Sequence, residues 1–299
     1  MNDDYLWDGS GPPDVEVVGL ERRLAPLRYR QRPLPRPSRT RWAMAGALLA
    51  AAASLLLMVG PRAPRTSWQV AGDALRQGQT VRTGDTAVRL EAEDVGRVDL
   101  AAHSVLRAAG GKKLALERGE LHAFIWAPAR EFGVETPSAR AIDLGCEYTL
   151  NVDEKGDGVL RVSMGWVAFQ VGDREAFIPA GATCLTRRRG GPGIPYFEDA
   201  PEGVRRAVER FEGGDRAGLG ELLAAARPRD GLTLWHLLTR VPEEDRARVF
   251  DRFGELVPLP SGISRDGVLH RDARAIDECW NALGLENTGW WRGWERKWR

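Results

Sequence analysis

The chain has 299 residues, with 43 Lys and Arg against 42 Asp and Glu, 4 His and 3 Cys, which leaves room for two modest domains plus additional segments. A net charge of +1 excludes a uniformly basic nucleic-acid binder and a disordered acidic tail, and three cysteines are too few for a disulfide scaffold. The average hides segregation: residues 1–21 carry six acids (Asp3, Asp4, Asp8, Asp14, Glu16, Glu21) and no base, whereas residues 22–41 carry eight arginines and no acid.

Within residues 1–41, a short tail, Val15, Val18, Leu20, Leu24 and Leu27 have helical spacing after Pro12-Pro13, with Asp14 and Glu16 near the positive N-terminal end. Pro33, Pro35 and Pro37 then predict an extended tether. A lone helix this short cannot stabilise itself; it frays or folds against a partner.

Residues 42–59, WAMAGALLAAAASLLLMV, are eighteen residues without a charge. At about 1.5 Å per residue they would extend about 27 Å, which predicts one transmembrane helix. Eight arginines precede the stretch, against Arg62, Arg65 and Arg76 in the twenty residues after it, so the N-terminus is expected in the cytoplasm. Val59-Gly60-Pro61 has no small-x-small cleavage site, which argues against a removable signal peptide.

Residues 68–185 read as an all-β domain, an antiparallel sandwich or jelly-roll-like barrel. Short runs occur at 87–90, 97–100, 114–125 and 132–136. In 142–152 Ile142, Leu144, Cys146, Tyr148, Leu150 and Val152 alternate with Asp143, Gly145, Glu147, Thr149 and Asn151, predicting one strand with a buried and a wet face. The turn 153–158 leads to a run in which Gly165 shifts the phase, as a bulge would, and Phe177 to Leu185 read as the last strand. Residues 186–197, with GGPG at 190–193, read as a linker.

Residues 198–299 predict an all-α, Trp-rich C-terminal domain. Its apolar residues sit three and four apart: Val204/Val208/Phe211, Leu219/Leu222/Leu223, Leu234/Leu237/Leu238, Val249/Phe250/Phe253/Leu256 and Ile276/Cys279/Trp280/Leu283. Pro242 with Glu243 and Glu244 marks a helix start. The end, WWRGWERKW, reads as a terminal helix packed on its own domain rather than a partner or membrane-surface contact.

Catalytic and metal-binding motifs are missing: there is no HExxH, GxSxG, phosphate loop or CxxC, and no His or Cys before His103. Asp153, Asp157 and Gly158 resemble a calcium loop, but Met164 stands where a bidentate Glu is needed. No catalytic residue, metal or cofactor is expected. Cys146 and Cys184 either form a disulfide, worth about 3 to 4 kcal/mol, or are two buried free thiols; Cys279 reads as a packed free thiol.

The ordered stretches 78–90, 114–125, 132–152, 160–169 and 178–184 resemble the FecR-type domain of membrane sigma-factor regulators. The matching positions are Thr83-Gly84; Leu116 with Gly119, Glu120 and Leu121; Phe132 with Val134, Thr136 and Pro137; Gly145 with Tyr148; and Val162 with Gly165 and Val167. Two positions depart: the family's G-T-x-F is Gly145-Cys146-Glu147-Tyr148 here, and its A-G-E is Ala180-Gly181-Ala182. The resemblance implies a single-pass, anti-sigma-like regulator of the bacterial inner membrane. Its cytoplasmic tail would bind an extracytoplasmic-function sigma factor through a helix over 14–30 by Val17, Leu20, Leu24 and Leu27, with Trp7 as anchor, while its periplasmic β-domain would receive a signal. A membrane-anchored module that binds glycan or a protein partner in the envelope is the alternative.

Overall fold

A computed structural model describes residues 15–27, 68–172 and 174–285. These fall into two units divided at Ala63/Pro64, and each is treated by itself. The first unit contributes helix α1 (Val15–Leu24) and a 3-10 turn (Ala25–Leu27).

The second unit opens with strands β1 (Gln69–Val70), β2 (Asp73–Ala74), β3 (Thr80–Arg82), β4 (Val88–Ala92), β5 (Gly96–Leu100) and β6 (Val105–Gly110). Next come the long β7 (Lys113–Ile125), β8 (Gly133–Glu135), β9 (Arg140–Asp143), β10 (Glu147–Val152), β11 (Gly158–Met164) and β12 (Trp166–Val171). Strands β13 (Arg174–Pro179), β14 (Ala182–Arg187), β15 (Gly191–Pro192) and β16 (Tyr196–Phe197) complete the set. All sixteen join into one hydrogen-bonded sheet whose path runs β13-β12-β9-β8-β7-β10-β11-β14-β15. Pairing is antiparallel except between β7 and β8, which run parallel and so depart from the expected all-antiparallel domain.

The path folds into two layers because three strand runs cross from one to the other. β7 pairs with β6 and β8 in its first half and with β5 and β10 in its second, divided at Gly119 (φ +94°). The expected single strand 142–152 is broken at Gly145 (φ +86°), so that β9 pairs with β12 in one layer and β10 with β11 in the other. Gly165 (φ +72°) does more than bulge: it ends β11 and sends β12 into the opposite layer. Positive φ is the conformation that L side chains avoid, and at two of these corners space also excludes a side chain. A Cβ at Gly119 would overlap Ser104, and one at Gly165 would overlap the Gly145 carbonyl. Gly119, Gly145 and Gly165 are all among the positions matched in the sequence resemblance above.

Residues 186–197 are not a linker. Thr186 and Arg187 pair with Pro192 and Gly191, β16 pairs with β14, and residues 191–197 are buried throughout.

The C-terminal elements are α2 (Glu202–Glu212), α3 (Ala217–Ala225), α4 (Gly231–Arg240), α5 (Glu243–Leu256), α6 (Arg265–Leu269) and α7 (Ala273–Ala282). Five match the expected apolar spacings; the five-residue α6 is too short to show one. Helix α5 begins after Pro242 with Glu243, Glu244 and Asp245 against its positive end. The side chains of Ser264 and Asp272 cap α6 and α7 by accepting from Gly267 N and Ala275 N. These helices share one core with the sheet. Trp280 of α7 lies 4.6 Å from Trp235 of α4, and 5.7 Å from both Trp166 of β12 and Phe177 of β13, centroid to centroid. The indole Nε1 of Trp235 donates to Ile276 O, so the ring's polar edge is satisfied as its face is buried.

The expected transmembrane helix requires correction. No helix among the described residues is long and apolar enough to cross a membrane. Crossing takes about 20 apolar residues, whereas the longest described helix, α5, has 14 and carries charge along its length. The stretch 42–59 lies outside the described residues. The supported architecture is a large β-sheet in the middle of the chain followed by helices.

Candidate functional site

Helix α1 starts with Glu16 in its first turn and ends with Arg22 and Arg23 in its last, which complements the helix dipole at both ends. It stops at Leu24 rather than running to residue 30, because Pro26 lacks the N–H that an α-helix would use. Val17, Leu20 and Leu24 have three- and four-residue spacing, and Leu27 follows in the 3-10 turn. No residue of α1 is buried: Leu20 is 57% exposed, Leu24 56% and Leu27 78%, and Val17 is intermediate. Trp7 lies outside the described residues. Three large exposed leucines within eight residues form an apolar face suited to a partner's groove.

Cys146 and Cys184 are both buried free thiols in the structure, not a disulfide. Cys146 Sγ–H donates to the carboxylate of Asp143, which also accepts from Gly145 N at 2.9 Å. Alternation placed Asp143 on the wet face, but the corner at Gly145 turns it inside, where it is fully buried. Burial raises its carboxyl to about 6, against the hydrogen bonds from Cys146 and Gly145 that favour the anion. Burial also pushes the Cys146 thiol and the Tyr148 phenol well above their ordinary values, with the Asp143 charge acting the same way. The Tyr148 hydroxyl has no hydrogen-bond partner among the described residues. Cys184 and Cys279 are pushed to about 12 by burial. A thiol held protonated and away from solvent is a poor nucleophile, so these are packing groups at neutral pH.

Asp143 makes stability depend on pH. Its folded value of about 6 lies above the ordinary 3.8, so the folded state holds a proton that the unfolded chain has released. Its contribution is therefore complete below about pH 4 and is lost as pH rises through 6, a span worth about 3 kcal/mol. Asp143→Asn keeps an acceptor for Gly145 N. It should raise the free energy of unfolding at pH 7 by about 1 to 3 kcal/mol and flatten its profile between pH 4 and 6; urea titrations at pH 4, 5, 6 and 7 check this.

Two further polar sites tie the sheet to the helices. His236 of α4 is buried and satisfied: Nδ1 donates to Leu232 O at 2.9 Å, and Nε2 accepts from Phe177 N at 3.1 Å. Arg240, at the end of α4, donates to Glu175 O and Pro192 O and stands 3.8 Å from Glu212 of α2, which accepts from Ile194 N. Periodicity showed both residues as helical; only the packing of α4 against β13 and β15 shows that they are buried. Among the described residues, no group of three His, Cys, Asp or Glu is placed to hold a metal.

Where the Gly165 corner meets the helices there is an apolar groove of about 460 Å³. Trp166, Pro179, Phe197, Leu232, Val257 and Leu285 are among the residues that line it, and the Arg229 guanidinium sits 4.5 Å over the Phe197 ring.

No family model matches the chain, and no curated protein matches it. Two crystal structures of a Parabacteroides distasonis protein assigned as an anti-sigma factor are similar to it at TM-score 0.36. The first is 16% identical over 44% of this chain and 65% of its own; the second is 15% identical over 48% and 74%. The chain thus spans just under two thirds of the first structure's length.

Proposed function

We propose that the chain is a FecR-type, anti-sigma-like regulator. In this reading α1 and its 3-10 turn bind an extracytoplasmic-function sigma factor, and the β-rich unit receives the signal. The role is one of binding, without catalysis. The observation that carries it is the unburied face of Leu20, Leu24 and Leu27 on a helix too short to persist without a partner. Burying one leucine contributes about 1.5 to 3 kcal/mol, so Leu20→Arg/Leu24→Arg should weaken sigma-factor binding by about 100-fold or more. The melting temperature of the β-rich unit should not change. Titrating the full chain and this variant against the purified sigma factors of the source genome checks it. Failure of the wild type to bind any of them, or equal binding by the variant, overturns the reading.

A second reading, an envelope module that holds glycan or a protein partner, is favoured by the outer face of the sheet. Arg97, Phe124, Glu147 and Met164 are cross-strand neighbours on β5, β7, β10 and β11. Phe124 lies 6.1 Å from Trp126, which is 54% exposed. Retention on polysaccharide columns that is lost in Trp126→Ala would favour this reading.

A further inference from the structure

The last described residue, Leu285, lines the apolar groove, so the chain leaves from the groove's own wall. We propose that this groove is the docking site of the chain's C-terminal segment, residues 286–299, which seats tryptophans in it. The segment reads ENTGWWRGWERKWR. Trp290, Trp294 and Trp298 recur every four residues, with Trp291 beside them, and on a helix Arg292, Arg296 and Arg299 fall on the opposite side. Such a stripe fits helix-in-groove recognition, in which apolar anchors spaced three and four apart enter a hydrophobic cleft.

Reach and size agree. Trp290 follows Leu285 by five residues, which extend to about 18 Å at most, so its ring reaches the groove without any rearrangement of the helices. The tether places it at an effective concentration of the order of millimolar. A volume of about 460 Å³ accommodates side chains rather than a folded domain. Burying each indole would remove about 150–250 Å² from water. The groove's lining from β12, β13 and α5 gives these rings aliphatic and aromatic neighbours, and the arginines of the opposite side stay in solvent.

Two measurements on the full chain test the proposal. With benzoylphenylalanine in place of Trp291, irradiation of the dilute protein should give cross-links within one molecule to Trp166, Phe197 or Val257. Cross-links that join two copies, or that fall only outside the groove, overturn it. In Trp290→Ala/Trp294→Ala, whose changes lie outside the folded core described above, limited trypsin digestion should cut after Arg292 at least tenfold faster than in the unsubstituted chain. Equal rates overturn it.

Discussion

Gly165→Ala should destabilise the β-rich unit by about 3 to 5 kcal/mol and lower its melting temperature by about 10 °C or more. Two effects add. The residue sits at φ +72°, where a Cβ costs about 1 to 2 kcal/mol against the following carbonyl. The new methyl would also occupy the position of the Gly145 carbonyl, and relief requires moving backbone at a corner held by close pairing. Leu144 N donates to Trp166 O between the two crossing chains, and Ala180 N, just after β13, donates to Gly165 O, so the corner cannot yield alone. Gly145→Ala is the control. Its φ is +86°, but nothing lies within 4 Å of its Cβ, so only the backbone cost of about 1 to 2 kcal/mol should appear. Thermal unfolding of the two variants side by side checks the ranking, and equal losses would show that the crossed-corner geometry is wrong.

Arg240→Met should cost about 3 kcal/mol, and the loss should be partly recovered in Arg240→Met/Glu212→Gln. Arg240 and Glu212 are both about nine-tenths buried and stand 3.8 Å apart. Burial draws the arginine down to about 10 and raises the glutamate, so neither ion is well solvated where it sits. Removing Arg240 leaves Glu212 with Arg174, at 3.8 Å and itself 45% exposed, as its nearest opposite charge. It also removes the guanidinium bonds to Glu175 O and Pro192 O that join β13 and β15 to α4, although Pro192 O keeps its bond from Arg174 Nε. Glu212→Gln removes the orphaned charge and keeps an acceptor for Ile194 N, so the double variant should regain about 1 to 2 kcal/mol. Raising the pH should deepen the defect of Arg240→Met, because Glu212 ionises against its burial. Denaturant titrations of both variants at pH 5 and pH 8 measure these differences.

Much of the architecture was legible in the sequence because it rests on period. Alternation located β10 and β11, and spacings of three and four located α2 to α5 and α7, since these patterns follow from one face being buried. The apolar face of α1 was legible for the same reason, although Pro26 ends that helix earlier than its leucines imply. Period failed where the chain changes layer. Alternation runs unbroken through Gly145 and so hid both the break between β9 and β10 and the burial of Asp143. The glycines of 190–193 looked like a linker because glycine is equally compatible with a flexible loop and with a buried close approach. The predicted span over 42–59 rested on its charge-free length and the arginines before it, and the described helices contain none of that kind.

Sequence by itself determined the inward rows of β10 and β11 and of most of the C-terminal helices, the absence of a motif for catalysis, and the helical spacing of the leucines near the N-terminus. These are local properties, written in spacing and composition. Only the tertiary structure decided that Gly119, Gly145 and Gly165 are crossing points, that Asp143 meets Cys146, and that Trp280 joins the helices to the sheet. Those contacts bring together residues far apart along the chain, and their energies depend on distance and burial, which no pattern along one strand or helix contains.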